Sequence, residues 1–275
     1  MVEDGRRVPS GNHTPLARSN ARVKEAARLS RRSVRAERRL FLADGPKAVE
    51  GALGVPGCVV TVFATPTAAQ EHGDLLAAAD EVTLVEDRAM AALSDSVTPA
   101  GVVAVCRLLD RPLDAVLDRA SGTGLLTICA DVRDPGNAGT VIRTSDAAGA
   151  GGVVLAGHAV DAHNSKTVRA SAGSVFHLPV AVEADVAAVV RASRTAGFRV
   201  LAADGAGETD LFEADLSGPT AWLFGNEAWG LPEEVAALAD ERVAIPIHGR
   251  AESLNLATAA AVCLYASARA RREQR

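Results

Sequence analysis

From Leu125 onward the chain alternates short apolar runs with helical segments, and this alternation restricts the fold more than any other feature. Strands are expected at Leu125–Ala130, Val153–Ala156, Phe176–Val180, Arg199–Ala203, Trp222–Phe224 and Val243–Ile247. Helical periodicity predicts helices over Ala138–Ala148, Lys166–Ala172, Asp185–Ala196, Glu233–Ala239 and Leu254–Arg272. Runs that are apolar on every residue, not on alternate ones, belong to strands buried on both faces. The reading is therefore α/β, with a mostly parallel sheet covered by helices on both sides. In such sheets ligands occupy the loops beyond the carboxyl ends of the strands.

The first part of the chain alternates too, with strands expected at Leu40–Ala43, Cys58–Ala64, Val82–Val85 and Gly101–Cys106 and helices at Lys47–Leu53, Ala68–Ala78 and Asp87–Ser94. Its reading is a smaller α/β sandwich. At 275 residues the chain has room for two such domains. Residues 1–18 mix Gly, Pro, Ser and charge without periodicity and are expected to be a disordered arm. The small domain is assigned to 19–108, a linker to 109–123 on the Arg-Pro and Ser-Gly-Thr-Gly signals, and the large domain to 124–275.

Charge is distributed unevenly. Residues 1–42 hold eleven Arg and Lys against four Asp and Glu, although the whole chain carries a net −5. Such a basic arm is the footprint of a polyanion partner, because each neutralised phosphate releases counterions. Arg22, Lys24, Arg28, Arg31, Arg32, Arg35 and Arg38, on a helical pattern that starts after Asn20, are the candidate RNA contacts. No stretch approaches the roughly 18 apolar residues of a membrane span, and no secretory signal opens the chain. Four dispersed cysteines form no C-x-x-C pair and six histidines form no ligand cluster, so a reduced cytoplasmic protein without a metal site is expected.

Phosphate-loop, dinucleotide-binding and nucleophile-elbow motifs are all absent. Three other segments carry chemistry-bearing residues where predicted strands end. Asp134-Pro-Gly-Asn137 opens a helix that carries Arg143; Asn137 is read as its N-cap, a structural role that would by itself explain it. Leu223-Phe-Gly-Asn-Glu-Ala-Trp-Gly-Leu231 places Glu227 between two glycines, with Gly225 free to let backbone approach a ligand; a plain turn before Pro232 is the alternative. Val243-Ala-Ile-Pro-Ile-His-Gly-Arg-Ala-Glu-Ser-Leu-Asn255 runs into the last helix.

In this order and spacing, N-x-x-x-x-x-R, F-G-N-E-x-x-G-L and I-P-I-x-G-x-x-x-S-L-N-L-A-T-A-A-A resemble the three motifs of SpoU/TrmH-type RNA 2'-O-ribose methyltransferases of the SPOUT superfamily, across residues 124–275. The stretch from Asn20 to Leu53 resembles the ribosomal-protein-like substrate-binding module that these enzymes often carry, with Asp44 standing where the module usually has Glu. The resemblance implies a deep trefoil knot at the carboxyl end, a homodimer, and S-adenosyl-L-methionine as cofactor, contacted by Gly225, Ile245, Leu254 and Ala203. It also implies that Arg143 acts on the ribose hydroxyl or its neighbouring phosphate, with Asn137, Ser253 and Asn255 orienting it and Glu227 bracing the group. The implied substrate is ribosomal RNA of the large subunit. The other readings are a transfer-RNA methyltransferase, a non-catalytic RNA-binding relative, and a nucleotide-dependent α/β enzyme of small molecules.

Overall fold

The structure is a computed structural model, and it describes residues 14–273. The chain forms two compact units, one of residues up to Leu108 together with His163–Arg169, the other of Leu109–Ala162 and Ala170 onward.

In the first unit the helices are α1 (Ala21–Ala27), α2 (Arg32–Arg38), α3 (Pro46–Leu53), α4 (Pro66–Glu71), α5 (Gly73–Leu76) and α6 (Asp87–Leu93), and a 3-10 turn at Arg28–Ser30 separates the first two. Strands β1 (Leu40–Asp44), β2 (Val59–Ala64), β3 (Val82–Leu84) and β4 (Val102–Arg107) form a sheet in the order β1-β4-β2-β3. β4 runs antiparallel to both β1 and β2, and β3 runs parallel to β2. Helices and sheet share a core of Val23, Leu29, Leu42, Phe63, Met90 and Val103.

Three expectations change here. The helix expected over Ala68–Ala78 is two helices, because the chain leaves helical geometry at His72 (φ −116°, ψ 32°). The N-terminal arm expected to be disordered to residue 18 is ordered from residue 14: Leu16 pairs with Val85 and exchanges backbone hydrogen bonds with Leu84 and Glu86 at 2.9 and 3.0 Å. Residues 1–13 of that arm lie outside the described residues. Arg35, grouped above with the RNA contacts, is 4% exposed and donates from Nη1 to the carbonyls of Leu29 and Ser30, both at 2.8 Å. Its charge secures the turn between α1 and α2 and faces no solvent. The buried Asp44 carboxylate accepts from Ser94 Oγ at 2.7 Å and from Arg169 at 2.8 Å, which satisfies the position where the resemblance departs from its pattern.

The second unit contains strands β5 (Leu125–Ala130), β6 (Gly152–Ala156), β7 (Val180–Glu183), β8 (Arg199–Ala203), β9 (Thr209–Asp210), β10 (Thr220–Phe224) and β11 (Glu241–Ala244). They form one sheet in the order β7-β6-β5-β10-β8-β11-β9, parallel at every described pairing. Its helices are α7 (Leu113–Thr123), α8 (Pro135–Ala147), α9 (Ser165–Ala170), α10 (Ser174–His177), α11 (Val186–Thr195), α12 (Glu233–Ala236) and α13 (Leu256–Arg272), although most of α9 groups with the first unit. Phe224 stands level with Cys129 of β5 on one side and Ala203 of β8 on the other, so the loops after these strands start side by side. α13 packs on α8 and against β10, its buried residues being Ala257, Ala260, Cys263, Leu264 and Ser267, and Ser267 Oγ accepts the indole N–H of fully buried Trp222 at 2.9 Å.

The second compact unit begins at Leu109 and takes in the segment read as a linker, 109–123. Leu113–Thr123 is α7, and its Val116, Leu117 and Ala120 lie in the same core cluster as Leu126, Ile128, Val154 and Val190. Glycine at and just before the start of β6 makes that packing possible: a Cβ on Gly151 would sit 2.4 Å from Ala120 Cα, and one on Gly152 would sit 2.4 Å from a Val116 methyl. The strand expected at Phe176–Val180 is helical at Ser174–His177 and extended only from Val180. The last strand stops at Ala244, before Ile245-Pro246, and the last helix starts at Leu256.

Candidate active site

The site is assembled at the carboxyl edge of the parallel sheet, where the three segments come together. The N-cap of α8 is Asp134, not Asn137: its side chain accepts the Asn137 N–H at 2.8 Å, and Pro135 fills the first helical position, where no N–H is needed. The Asn137 side chain is thereby released for long-range contacts. Its Nδ2 donates to Glu227 Oε1 at 3.4 Å, and its Oδ1 accepts from Asn255 Nδ2 at 3.0 Å.

Glu227 comes from the loop after β10. Its carboxylate also accepts the backbone N–H of Asp134 at 3.0 Å and of Arg133 at 3.3 Å, so it is bound to the loop after β5. Asn255 is the N-cap of α13, accepting with Oδ1 from Ala257 and Thr258 N–H at 2.9 and 3.3 Å. The result is a hydrogen-bond chain, Glu227 to Asn137 to Asn255, through one residue of each segment. Because Asn137 donates at one end and accepts at the other, its amide has one satisfied orientation. Cys129, buried at the end of β5, has its thiol pushed up to about 12, first by burial and then by the Glu227 charge.

The loop carrying Glu227 is held from below. Gly225 does allow a close approach, but the backbone that approaches is the chain's own: a Cβ there would lie 2.3 Å from the Gly230 carbonyl carbon. Asn226 and Gly230 exchange backbone hydrogen bonds at 2.9 Å in both directions. Buried Asn226 donates from Nδ2 to the Asp131 carbonyl at 2.7 Å and accepts from Ala228 N–H at 2.8 Å. Sequence reasoning left Asn226 out, although an amide between a strand end and an acid was the available signal.

Two of the expected catalytic residues stay outside the chain of bonds. Arg143 is exposed on α8 with no hydrogen-bond or ion-pair partner among the described residues, and Ser253 is exposed in the loop two residues before Asn255. Six residues of helix turn Arg143 by about 600° from Asn137, onto a different face. Its guanidinium is therefore unspent. The expected cofactor contacts gather on neighbouring strand ends: Ala203 closes β8, Gly225 follows β10, and Ile245 follows β11, which pairs with β8 at Val243–Ala203. Ile247 and Leu254, in the coil before α13, are among the large apolar side chains left exposed. This mix of apolar side chains and strand-end backbone suits an adenosyl group, whose faces are apolar and whose edges hydrogen-bond.

In the first unit, Lys24, Arg28 and Arg31 join Arg18 around an open depression of about 650 Å³ floored by Val23, Ala27 and Ala92. Arg18 was not among the expected contacts. Arg32 is exposed as well, whereas Arg22 pairs with Glu81 and Arg38 pairs with Glu25 at 2.6 Å. The Arg38 guanidinium holds the Glu25 carboxyl below its ordinary value.

A parallel sheet with an amide–carboxylate chain at its carboxyl edge defines an α/β ligand-binding domain of the kind that reads its ligand from strand-end loops. Residues 124–265 match the SpoU rRNA Methylase family, and residues 20–104 match the MRM3-like substrate binding domain. The chain belongs to the SpoU rRNA methylase family. It is 35% identical over 246 residues, 90% of this chain and 95% of the relative, to the Bacillus subtilis 23S rRNA (guanosine(2553)-2'-O)-methyltransferase RlmP. It is 38% identical over 197 residues, 70% of this chain and 68% of the relative, to the 23S rRNA (uridine(2479)-2'-O)-methyltransferase of Streptomyces viridochromogenes. Among solved structures, the AdoMet-bound rRNA methyltransferase of Sinorhizobium meliloti superposes with a TM-score of 0.79 at 36% identity, covering 91% of this chain and 95% of that one.

Proposed function

We propose that this chain methylates a ribose 2'-oxygen of 23S ribosomal RNA, using S-adenosyl-L-methionine, as a cytoplasmic homodimer whose carboxyl-terminal segment is knotted. The observation that carries the reading is the Glu227–Asn137–Asn255 chain, which locks the three motif segments into one site at the sheet's ligand edge. The two relatives named above are both 23S rRNA 2'-O-methyltransferases, which favours that substrate class.

The bound cofactor supplies an activated methyl on a sulfonium; binding, orientation and charge control fall to the chain. Ala203, Gly225, Ile245 and Leu254 hold the cofactor. Arg143 binds the phosphate beside the target ribose and stabilises the negative charge that develops on the 2'-oxygen as its proton passes to solvent water. A guanidinium with a pKa above about 12 is a poor proton acceptor, so charge stabilisation is the part it can play. Ser253 offers its hydroxyl to the ribose from the loop that Asn255 terminates. Glu227, Asn137 and Asn255 are positioning residues, keeping that loop and the start of α8 in register. The basic surface of α1 and α2 gathers RNA through its phosphates, without reading sequence.

The test is transfer of tritiated methyl from S-adenosyl-L-methionine to total ribosomal RNA and, separately, to total transfer RNA, with the site mapped by resistance to alkaline cleavage. Label at one alkali-resistant linkage in 23S RNA is the expected result. Label in transfer RNA alone overturns the substrate, and label at an alkali-labile linkage overturns the ribose chemistry.

A further inference from the structure

Trp229 lies at the tip of the loop that carries Glu227, 54% exposed, in a chain whose only other tryptophan, Trp222, is fully buried. A large aromatic side chain is costly to leave in water, and this one is not left there by a loose loop. The two-way backbone bonding of Asn226 with Gly230, the Asn226 side chain on Ala228 N–H, and the Gly225 backbone against Gly230 all fix the turn that presents it. The Arg133 guanidinium lies 5.1 Å from the indole centroid, a cation–π contact that settles the ring's orientation.

Arg133 is itself exposed, and among the described residues its guanidinium makes no hydrogen bond or ion pair, so its N–H donors are unspent. Its own backbone N–H is bound by Glu227, the carboxylate that also holds Asn137. An aromatic face and an unpaired guanidinium are thus fastened to the same anchor as the candidate active site. Stacking on an aromatic plane together with a phosphate contact from Arg is how single-stranded RNA is held where bases are unpaired.

We infer that Trp229 and Arg133 form a nucleotide platform, the indole stacking on an unpaired base beside the ribose to be methylated and the guanidinium taking a phosphate of the same strand. This rests on the RNA-methylating function proposed above. Stacking tolerates any base, so the platform sets the local conformation of the strand: it requires the target region to be splayed out of a helix.

Tryptophan emission of the full-length protein tests it, because Trp222 is inaccessible and Trp229 reports alone to solvent quenchers. Acrylamide should quench part of the emission of the free protein. A short oligoadenylate should quench the same component further and shield it from acrylamide. Trp229→Ala should weaken oligoadenylate binding, followed by anisotropy of labelled RNA, by about 10- to 100-fold without changing the salt slope. Trp229→Phe should restore most of the affinity. Arg133→Ala should flatten the slope by about the 0.7 expected for one single-strand phosphate. S-adenosyl-L-methionine affinity should be the same in all three variants. Emission unchanged by bound RNA, or an indole already shielded from acrylamide in the free protein, overturns the platform and leaves the RNA reading standing. Wild-type protein that methylates no RNA overturns the proposed function itself, whatever the emission does.

Discussion

The Glu227–Asn137–Asn255 chain and the basic surface of α1 and α2, the two regions to which the proposed function gives the active site and the RNA contacts, are built in opposite ways. In the first, nearly every donor and acceptor has a named partner, and the two bonds that join its three segments span 90 and 118 residues of sequence. In the second, Lys24, Arg28, Arg31 and Arg32 project from neighbouring turns, and what they share is charge. The contrast teaches that geometry is stored where chemistry is done, while affinity for a polyanion needs only number and sign. Removing one member of a bonded chain should therefore disturb its neighbours, whereas removing one surface cation should subtract its own share and no more.

The largest expected effect comes from Arg143, to which the proposed mechanism gives the charge-stabilising role and which has no bonded partner among the described residues. Arg143→Ala should lower methyl transfer by at least 100-fold while S-adenosyl-L-methionine affinity, measured by calorimetry, stays within a factor of a few. Equal loss of both would mean that Arg143 supports the fold of the site. Next, Asn137→Ala and Asn255→Ala should each destabilise the protein by about 1 kcal/mol or more, Asn255 partly through its cap. The double variant should lose less than the two together, and additivity in denaturant titrations would show that the bond between them contributes nothing.

Arg35→Ala sharpens the comparison from inside the basic region. It should cost roughly 1–3 kcal/mol of stability, because the buried Leu29 carbonyl and the partly buried Ser30 carbonyl lose a donor, and should leave the salt slope of RNA binding unaltered. Arg31→Ala or Lys24→Ala should do the reverse, with no measurable change in unfolding and a slope smaller by about 0.7–0.9 for each phosphate lost. The pH dependence is a smaller effect. Cys129 and Cys263 are both pushed up to about 12 from an ordinary 9.0, by burial above all. A raised thiol pKa favours the folded state's proton, so the stabilisation is complete below pH 9 and declines from there toward 12, on the order of 1 kcal/mol per pH unit for each thiol. Denaturant titrations at pH 8 and pH 10 should show this decline, and Cys129→Ala should reduce it.

Much of the large unit was legible because its strands are apolar on every residue and its motif segments sit where those strands end. What escaped was information held by a distant partner. α7 has a narrow apolar stripe, Val116, Leu117 and Ala120, among charges and before Ser-Gly-Thr-Gly, and only the bare Gly151-Gly152 that leads into β6 reveals that a helix lies there. Asp134-Pro-Gly-Asn137 offers two capping residues three apart, and Pro135 at the first helical position decides for Asp134. Arg35 looks like its basic neighbours, and nothing local marks it as buried. Asn137 and Asn255 both stand in the motif segments, but the bond between them spans 118 residues and no periodicity encodes it.

α7 also separates what is inherited as a motif from what is solid as an object. The family match begins at residue 124, one residue beyond the end of this helix. A fragment cut at that point would uncover Leu126, Val154 and Ala156 where Val116, Leu117 and Ala120 had covered them, and should aggregate. A fragment that starts at Leu109 keeps its own cover, so anyone dissecting the enzyme should place the scissors ahead of α7, where the polymer is divisible, and not where resemblance begins.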